Sequence, residues 1–475
     1  MRPMQRPLIV LSAAACWMAG LGATPAPEVL TRTVNNGNLV LEDVPEIRDA
    51  VAEDLRRYKN VRSAAVLDWS RDGQSLYIST RFGEVNQLAY RAWNDPAPRL
   101  LTADIPWNVD GAALSDDRRR MAFTVNEDGW NTLYLLDTRS LRFRKVEGLP
   151  KGLVGSMRFS PDGRRLALTL NTARTPSDAH VLELGRGALR YGELVRWTES
   201  EVGGLDTARF VEPELIRYPT LDGRDIPAFV YQPEGKGPWP VLVYIHGGPE
   251  GQYRPGFSGT FQMWVSKLGV AVVAPNVRGS NGYGRDYVNL DNGYQREDSV
   301  KDIGALLDWI ATRPDLDASR VAVYGGSYGG YMVLACATHY SARLRAAIDL
   351  VGISNFVTFL ENTQPYRQDL RRVEYGDERD PRMRAFLERI SPNNHVQKIT
   401  IPMLVVQGQN DPRVPVTESE QIVKALRAGG KAVWYMNALN EGHGYRKKEN
   451  RDVMDQAVVM FLRNHLLNAP ASAGP

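Results

Sequence analysis

The sequence predicts two fold classes in series: a short all-β, propeller-like domain, then an α/β domain built on a mostly parallel, doubly wound sheet. Three observations carry that reading. A hairpin unit recurs between about residues 60 and 210, with Ser70, Ser115 and Ser160 at equivalent places and both intervals 45 residues, the length of a four-stranded propeller blade. From Pro213 onward, apolar strand-like runs alternate with helical stretches, the pattern of a parallel sheet covered on both faces. Within that second region Gly325, Ser327 and Gly329 form G-x-S-x-G between a β-branched run and a small-residue helix, the strand–turn–helix setting of a nucleophile elbow.

Ahead of the repeat, Arg2 and Arg6 precede an apolar run from Leu8 to Ala19 and small residues from Gly20 to Ala26. This is the layout of a secretory signal peptide over residues 1–23, too short an apolar run to span a bilayer comfortably. A periplasmic or secreted protein with no integral membrane segment after processing is therefore expected; a retained anchor and a poor lipoprotein site at Cys16 are the weaker alternatives. Cleavage near Ala23 leaves Cys336 as the last cysteine, which excludes a disulfide framework and reads as a small apolar filler. The 475 residues, with a formal charge of +3, suit two cored domains. No Lys/Arg block with interleaved aromatics occurs, so a nucleic acid partner is set aside.

Each repeat over residues 30–210 joins two alternating strands by an Asp-Gly-like turn and adds a third strand, such as Leu133 to Asp137 or His180 to Leu184. Only three to four such units fit. Propellers close with at least four blades, so the region is a minimal ring or an open arc whose edges need cover, and self-association is one way to supply it.

The α/β domain, residues 213–467, opens with a hairpin around Asp222-Gly223. Buried strands follow at Val241 to Ile245, Val270 to Ala274, Val321 to Tyr324, Ala346 to Val351, Met403 to Gln407 and Ala432 to Met436. Helices fit Thr260 to Leu268, Ser299 to Thr312, Ser327 to Thr338, Thr417 to Ala428 and Lys448 to Leu467, with a further helical stretch near Pro45 to Tyr58. Ser299 with Asp302 resembles a capping box. Residues 468–475 read as a disordered tail.

A serine hydroxyl needs a base to take its proton and an acid to hold that base. His443, in the glycine-flanked Asn440 to Tyr445 loop between the last strand and last helix, is the candidate base for Ser327. Asp411, in Asn410-Asp411-Pro412 directly after a strand, is the candidate acid; a turn-forming Asp is the plainer reading, and its place at the carboxyl end of a parallel strand favours function. The developing oxyanion needs two donors, for which Gly248 N–H, in His246-Gly247-Gly248-Pro249, and Tyr328 N–H are the candidates. No cofactor is required, and no H-E-x-x-H or Cys/His cluster suggests a metal.

The sequence resembles the prolyl oligopeptidase family of serine peptidases, nearest its acylaminoacyl-peptidase-like and bacterial dipeptidyl-peptidase-like members. Carrying the resemblance are His246 to Pro249, Pro275 to Gly284 with its Asn-Val-Arg-Gly-Ser core, Gly325 to Tyr331, Asn410 to Pro415 and Glu441 to Gly444. It implies an α/β-hydrolase domain behind a propeller and hydrolysis of short peptides or acyl-peptides through an acyl-enzyme on Ser327. On that likeness Arg413 binds a substrate carbonyl, Phe356, Phe359 and Val414 line the pocket for the residue before the cleaved bond, and Tyr331 closes it. Two departures stand out: the propeller region holds about half the usual blades, and no Glu-Glu pair, with which dipeptidyl members grip the substrate amine, occurs in the chain. Rival readings are an esterase using the same triad and a binding protein whose catalytic domain is impaired by the shortened propeller.

Overall fold

The computed structural model describes residues 31–34, 39–42, 64–70, 72, 74–81, 83–95 and 97–468. The leader expected over residues 1–23, the helical stretch near Pro45 to Tyr58 and the tail from residue 469 lie outside them. The chain divides into two units, residues 1–61 and 62–475. Of the first, an antiparallel hairpin is described, Thr31–Val34 against Leu39–Glu42.

The second unit begins with three four-stranded antiparallel sheets, each a meander in chain order. The first comprises Ala64–Trp69, Ser75–Arg81, Asn86–Ala92 and Arg99–Leu100. The second comprises Asn108–Leu114, Arg120–Glu127, Trp130–Asp137 and Arg142–Lys145. The third comprises Leu153–Phe159, Arg165–Asn171, Asp178–Leu184 and Tyr191–Arg196. From Trp197 to Pro213 the chain forms no strand, so no part of a fourth unit follows the third.

The 45-residue spacing has a local physical cause. In each sheet the first turn is closed by the same Ser-x-Asp device: Ser70, Ser115 and Ser160 donate Oγ–H to Asp72, Asp117 and Asp162 at 2.6, 2.8 and 2.6 Å. Each serine oxygen also accepts a backbone N–H five residues on, from Ser75, Arg120 and Arg165, all at 3.0 Å. The sheets then pack face to face. Along Arg120–Glu127, Met121, Phe123 and Val125 point toward the first sheet with Tyr77 and Leu88, whereas Ala122 points toward the third with Leu166, Leu168 and Leu182. This is period-two alternation buried on both sides.

Eight strands make the sheet of the α/β domain: β1 (Glu214–Pro219), β2 (Asp225–Tyr231), β3 (Trp239–Ile245), β4 (Ala271–Pro275), β5 (Leu316–Gly326), β6 (Ala346–Leu350), β7 (Met403–Gly408) and β8 (Val433–Ala438). Their order is β1-β2-β4-β3-β5-β6-β7-β8, with β1, β2 and β4 paired antiparallel and all other neighbours parallel. One face packs α1 (Gly259–Leu268) and α8 (Lys448–Leu462) on Leu242, Ala322, Ile348 and Leu404. The other packs α2 (Asp298–Thr312), α3 (Tyr328–His339) and α7 (Val416–Ala428) on Val241, Val243, Val321 and Val323. Three further helices lie between β6 and β7: α4 (Phe356–Asn362), α5 (Pro365–Tyr375) and α6 (Pro381–Ile390).

The capping box expected at Ser299 and Asp302 does not form. Helix α2 starts at Asp298, and Asp302 instead receives Arg278 Nη2 at 2.8 Å and Thr220 Oγ1 at 2.7 Å in a fully buried pairing. A buried carboxylate with a guanidinium partner gains more from that charge-assisted bond than from a helix-end N–H.

Each of the three sheets is fastened separately to the α/β domain. Glu84 of the first receives Arg285 Nη2 at 3.1 Å. Asp110 and Asp128 of the second pair with Arg254 at 3.0 Å and Arg217 at 2.5 Å. Asn171 of the third accepts Phe257 N–H at 2.6 Å. No helix among the described residues is long and apolar enough to cross a membrane. Replacing Ser115 by Ala leaves the half-buried Arg120 N–H without its acceptor and Asp117 Oδ1 without its hydroxyl donor, and should lower unfolding stability by about 1–3 kcal/mol; a thermal melt equal to wild type would show that the repeated turn is dispensable.

Candidate functional site

The site forms where parallel strands end. Ser327 follows β5 with φ 60° and ψ −119°, and α3 starts at the next residue. A residue with a side chain pays for positive φ, on the order of 1–3 kcal/mol, and local contacts hold it there. Ser327 N–H donates to Leu350 O at 2.8 Å, and Tyr331 N–H to Ser327 O at 3.1 Å. Both flanking glycines are sterically required: a Cβ on Gly325 would sit 2.4 Å from Gly329 O, and one on Gly329 2.2 Å from Ile245 O.

Against this turn lies the loop after β3. A Cβ on Gly247 would come 3.4 Å from Ser327 Cβ, and Gly248 follows at φ 143°. His246 organises the loop: Nδ1 lies 2.8 Å from Gly247 O, and Nε2 lies 2.8 Å from Ser280 Oγ. Burial lowers the pKa of this imidazole, favouring the neutral ring. Because a carbonyl only accepts, the contact with Gly247 O places a ring proton on Nδ1, while Ser280 donates its own hydroxyl hydrogen to Val277 O at 2.6 Å. Gly247 O shares a rigid peptide plane with Gly248 N–H, so His246 sets where that N–H points.

Asp411 follows β7 and His443 follows β8. Asp411 Oδ2 lies 2.7 Å from His443 Nδ1, while Oδ1 accepts Arg413 N–H at 2.8 Å and Val414 N–H at 3.1 Å. The carboxylate is wholly buried and the imidazole mostly so. Asp411 thus makes the turn with one oxygen and contacts a histidine with the other. The two loops are pressed together, since a Cβ on Gly408 would lie 2.1 Å from Gly442 O. Asn410 N–H donates to Glu441 O at 2.9 Å. Glu441 then braces the histidine loop by accepting Lys447 N–H at 2.9 Å and Asn450 Nδ2–H at 2.8 Å. Sequence reasoning assigns no role to Glu441 or Gly408; the glycine that ends β7 and the acid two residues before His443 are the available signals.

Tyr331, Phe356 and Phe359 lie in one aromatic cluster. Tyr331 and Phe356 centroids are 4.6 Å apart, and Tyr375, missed in the sequence, lies 5.0 Å from Phe356 and 6.0 Å from Phe359. Val414 is buried within the same core. Arg413 is exposed, its carbonyl accepting Thr363 Oγ1–H at 2.7 Å. The side chain of Tyr328 turns into the interior, leaving only its N–H, at the unsatisfied first turn of α3, for the site.

Residues 255–469, most of the α/β domain, match the model of the prolyl oligopeptidase family. The α/β domain belongs to the prolyl oligopeptidase family. Among sequence relatives, the chain is 35% identical over 451 residues to dipeptidyl aminopeptidase BIII of Pseudoxanthomonas mexicana, covering 92% of this chain and 62% of that protein. It is 34% identical over 233 residues to dipeptidyl peptidase family member 6 of Caenorhabditis elegans, covering 48% and 31%. The chain thus spans about three-fifths or less of these relatives. Its fold is similar to that of a puromycin-hydrolyzing peptidase of Mycobacterium tuberculosis, with TM-score 0.74, 24% identity and coverage of 85% and 62%. It is also similar to the acylaminoacyl peptidase of Pyrococcus horikoshii, with TM-score 0.68, 22% identity and coverage of 85% and 64%. The family's combination of propeller and α/β-hydrolase domain is the architecture found here.

Gly329→Ala should distort the turn at Ser327, costing about 1–3 kcal/mol through overpacking and slowing the fluorophosphonate labelling that a nucleophilic Ser327 would show. Wild-type labelling and melting would contradict the steric requirement.

Proposed function

We propose that this chain is a serine peptidase that cleaves short peptides or acyl-peptides. The observation that carries the reading is the buried Asp411 to His443 Nδ1 pair, 2.7 Å long, after strands β7 and β8 of the same parallel sheet whose β5 leads into a serine held at positive φ. In this reading Ser327 Oγ attacks the substrate carbonyl carbon as its proton passes to His443 Nε2, and Asp411 stabilises the imidazolium through Nδ1–H. Gly248 N–H and Tyr328 N–H receive the oxyanion. The tetrahedral species collapses, the C–N bond breaks, and His443 returns the proton to the leaving amine. Water then repeats the sequence on the acyl-enzyme, releasing the acid and restoring Ser327.

Phe356, Phe359, Tyr331 and Val414 form the apolar wall for the residue before the cleaved bond, and Arg413 reaches a substrate carbonyl. Dipeptide release from a free N-terminus is left out of the proposal, since the chain has no Glu-Glu pair. The apolar run from Leu8 to Ala19 behind Arg2 and Arg6 fits a leader, with which the peptidase would act outside the cytoplasm.

Ser327→Ala should lower kcat on the order of a millionfold, and Asp411→Asn by about 10⁴ through loss of the charge that holds the His443 tautomer. Both are read with peptide p-nitroanilides and a fluorophosphonate. Equal labelling of Ser327→Ala and wild type would refute the nucleophile, whereas turnover of p-nitrophenyl esters without any peptide cleavage would make the chain an esterase.

A further inference from the structure

Behind the proposed oxyanion hole lies a fully buried cation that the chemistry above does not use. Arg296 donates Nη1–H to Asp291 Oδ2 at 2.6 Å and Nη2–H to Glu374 Oε1 at 2.6 Å and Glu374 O at 2.8 Å. Its guanidinium lies over the rings of Tyr328, 5.2 Å to the centroid, and Tyr375, 4.8 Å to the centroid. Burial opposes this charge, and two carboxylates with two aromatic faces compensate it. Burial raises the pKa of the Asp291 and Glu374 carboxyls, and Arg296 opposes that rise only in part. A planar fork can bond in its plane and stack on its faces; an ammonium cannot do both.

The groups Arg296 holds belong to opposite sides of the candidate site. On one side, Tyr328 follows Ser327 and carries a candidate oxyanion N–H. Its ring is gripped by Arg296 and its hydroxyl by Asp291 Oδ2 at 3.0 Å and Ser299 Oγ at 2.8 Å. On the other side, Glu374 and Tyr375 end helix α5, from which Arg371 reaches toward the second candidate donor: Nη1 is 3.4 Å from Gly248 O and 3.7 Å from Glu250 Oε2. Tyr375 is also the aromatic that backs Phe356 and Phe359.

We propose that Arg296 is a positioning residue for the reaction proposed above, holding Tyr328 and helix α5 in register so that both oxyanion donors converge. The inference rests on that reading of Ser327. A purely structural role would change only the melting temperature; a positioning role also changes the reactivity of Ser327 in protein that remains folded.

The test uses the full chain with Arg296→Lys and Arg296→Met. It measures the fluorophosphonate labelling rate, kcat and KM for p-nitrophenyl acetate, which has no bulky acyl side chain, and the thermal melt. The expected result is labelling and acetate kcat at least tenfold below wild type in both variants with acetate KM within about twofold, because neither lysine nor methionine restores the fork. Should the Arg296→Met protein fail to fold, the lysine variant decides. A folded Arg296→Lys protein labelled at the wild-type rate would overturn the inference while leaving the nucleophile assignment intact. Failure of wild type itself to label would remove both.

Discussion

The strained backbone at Ser327 is the constraint on which the other parts depend. A serine at φ 60° and ψ −119° stays there only while its neighbours leave no cheaper conformation. Ile245 O, Gly329 O and Leu350 O, from three separate elements, crowd or bond the turn, so β3, β6 and α3 must all be seated before the hydroxyl is presented. The local strain is offset by extensive apolar packing on both sheet faces. The loop carrying Gly248 obeys a related constraint: it must come within van der Waals contact of the turn, which leaves no room for a side chain at Gly247, and it is fixed from behind by His246.

Polar groups in the interior follow one logic. Asp302 with Arg278, Asp291 and Glu374 with Arg296, and Glu378 with Arg372 are carboxylate–guanidinium pairs in which at least one partner is almost completely buried. Such pairs add little net stability compared with apolar packing, but they are demanding about geometry. Arg278 with Asp302 and Arg296 with Glu374 join segments 24 and 78 residues apart, whereas Arg296 with Asp291 and Arg372 with Glu378 brace local turns five and six residues long.

Much of the fold was readable because the responsible interactions are local. The 45-residue repeat is a Ser-x-Asp turn written three times, and the serine turn announces itself through glycines that close approach demands. Helix α5 was not readable, since its polarity is inverted. Tyr366, Leu370 and Val373 face solvent, whereas Arg371, Arg372 and Glu374 face inward to ionic partners elsewhere in the chain. Periodicity assigns apolar faces to the core, and here long-range charge pairing overrules it. Asp302 misled for the same reason: its partner lies 24 residues upstream, beyond the reach of a helix-start motif. Of the candidate site, Asp411 and His443 were legible from their places after strands, while Tyr375 and Glu441 depend on tertiary neighbours.

The separate fastening of the three sheets changes what holds a propeller-like arc in position. In a closed ring, each blade is located by its neighbours on both sides, and the ring succeeds or fails together. Here Glu84, the Asp110 and Asp128 pair, and Asn171 bolt their own sheets to the α/β domain. Position is set from the floor as well as by the apolar faces that neighbouring sheets share, so stability is a sum of local sheet and nearest-neighbour contributions. Each of the three sheets thus keeps a fixed point on the α/β domain that does not depend on how many sheets stand beside it.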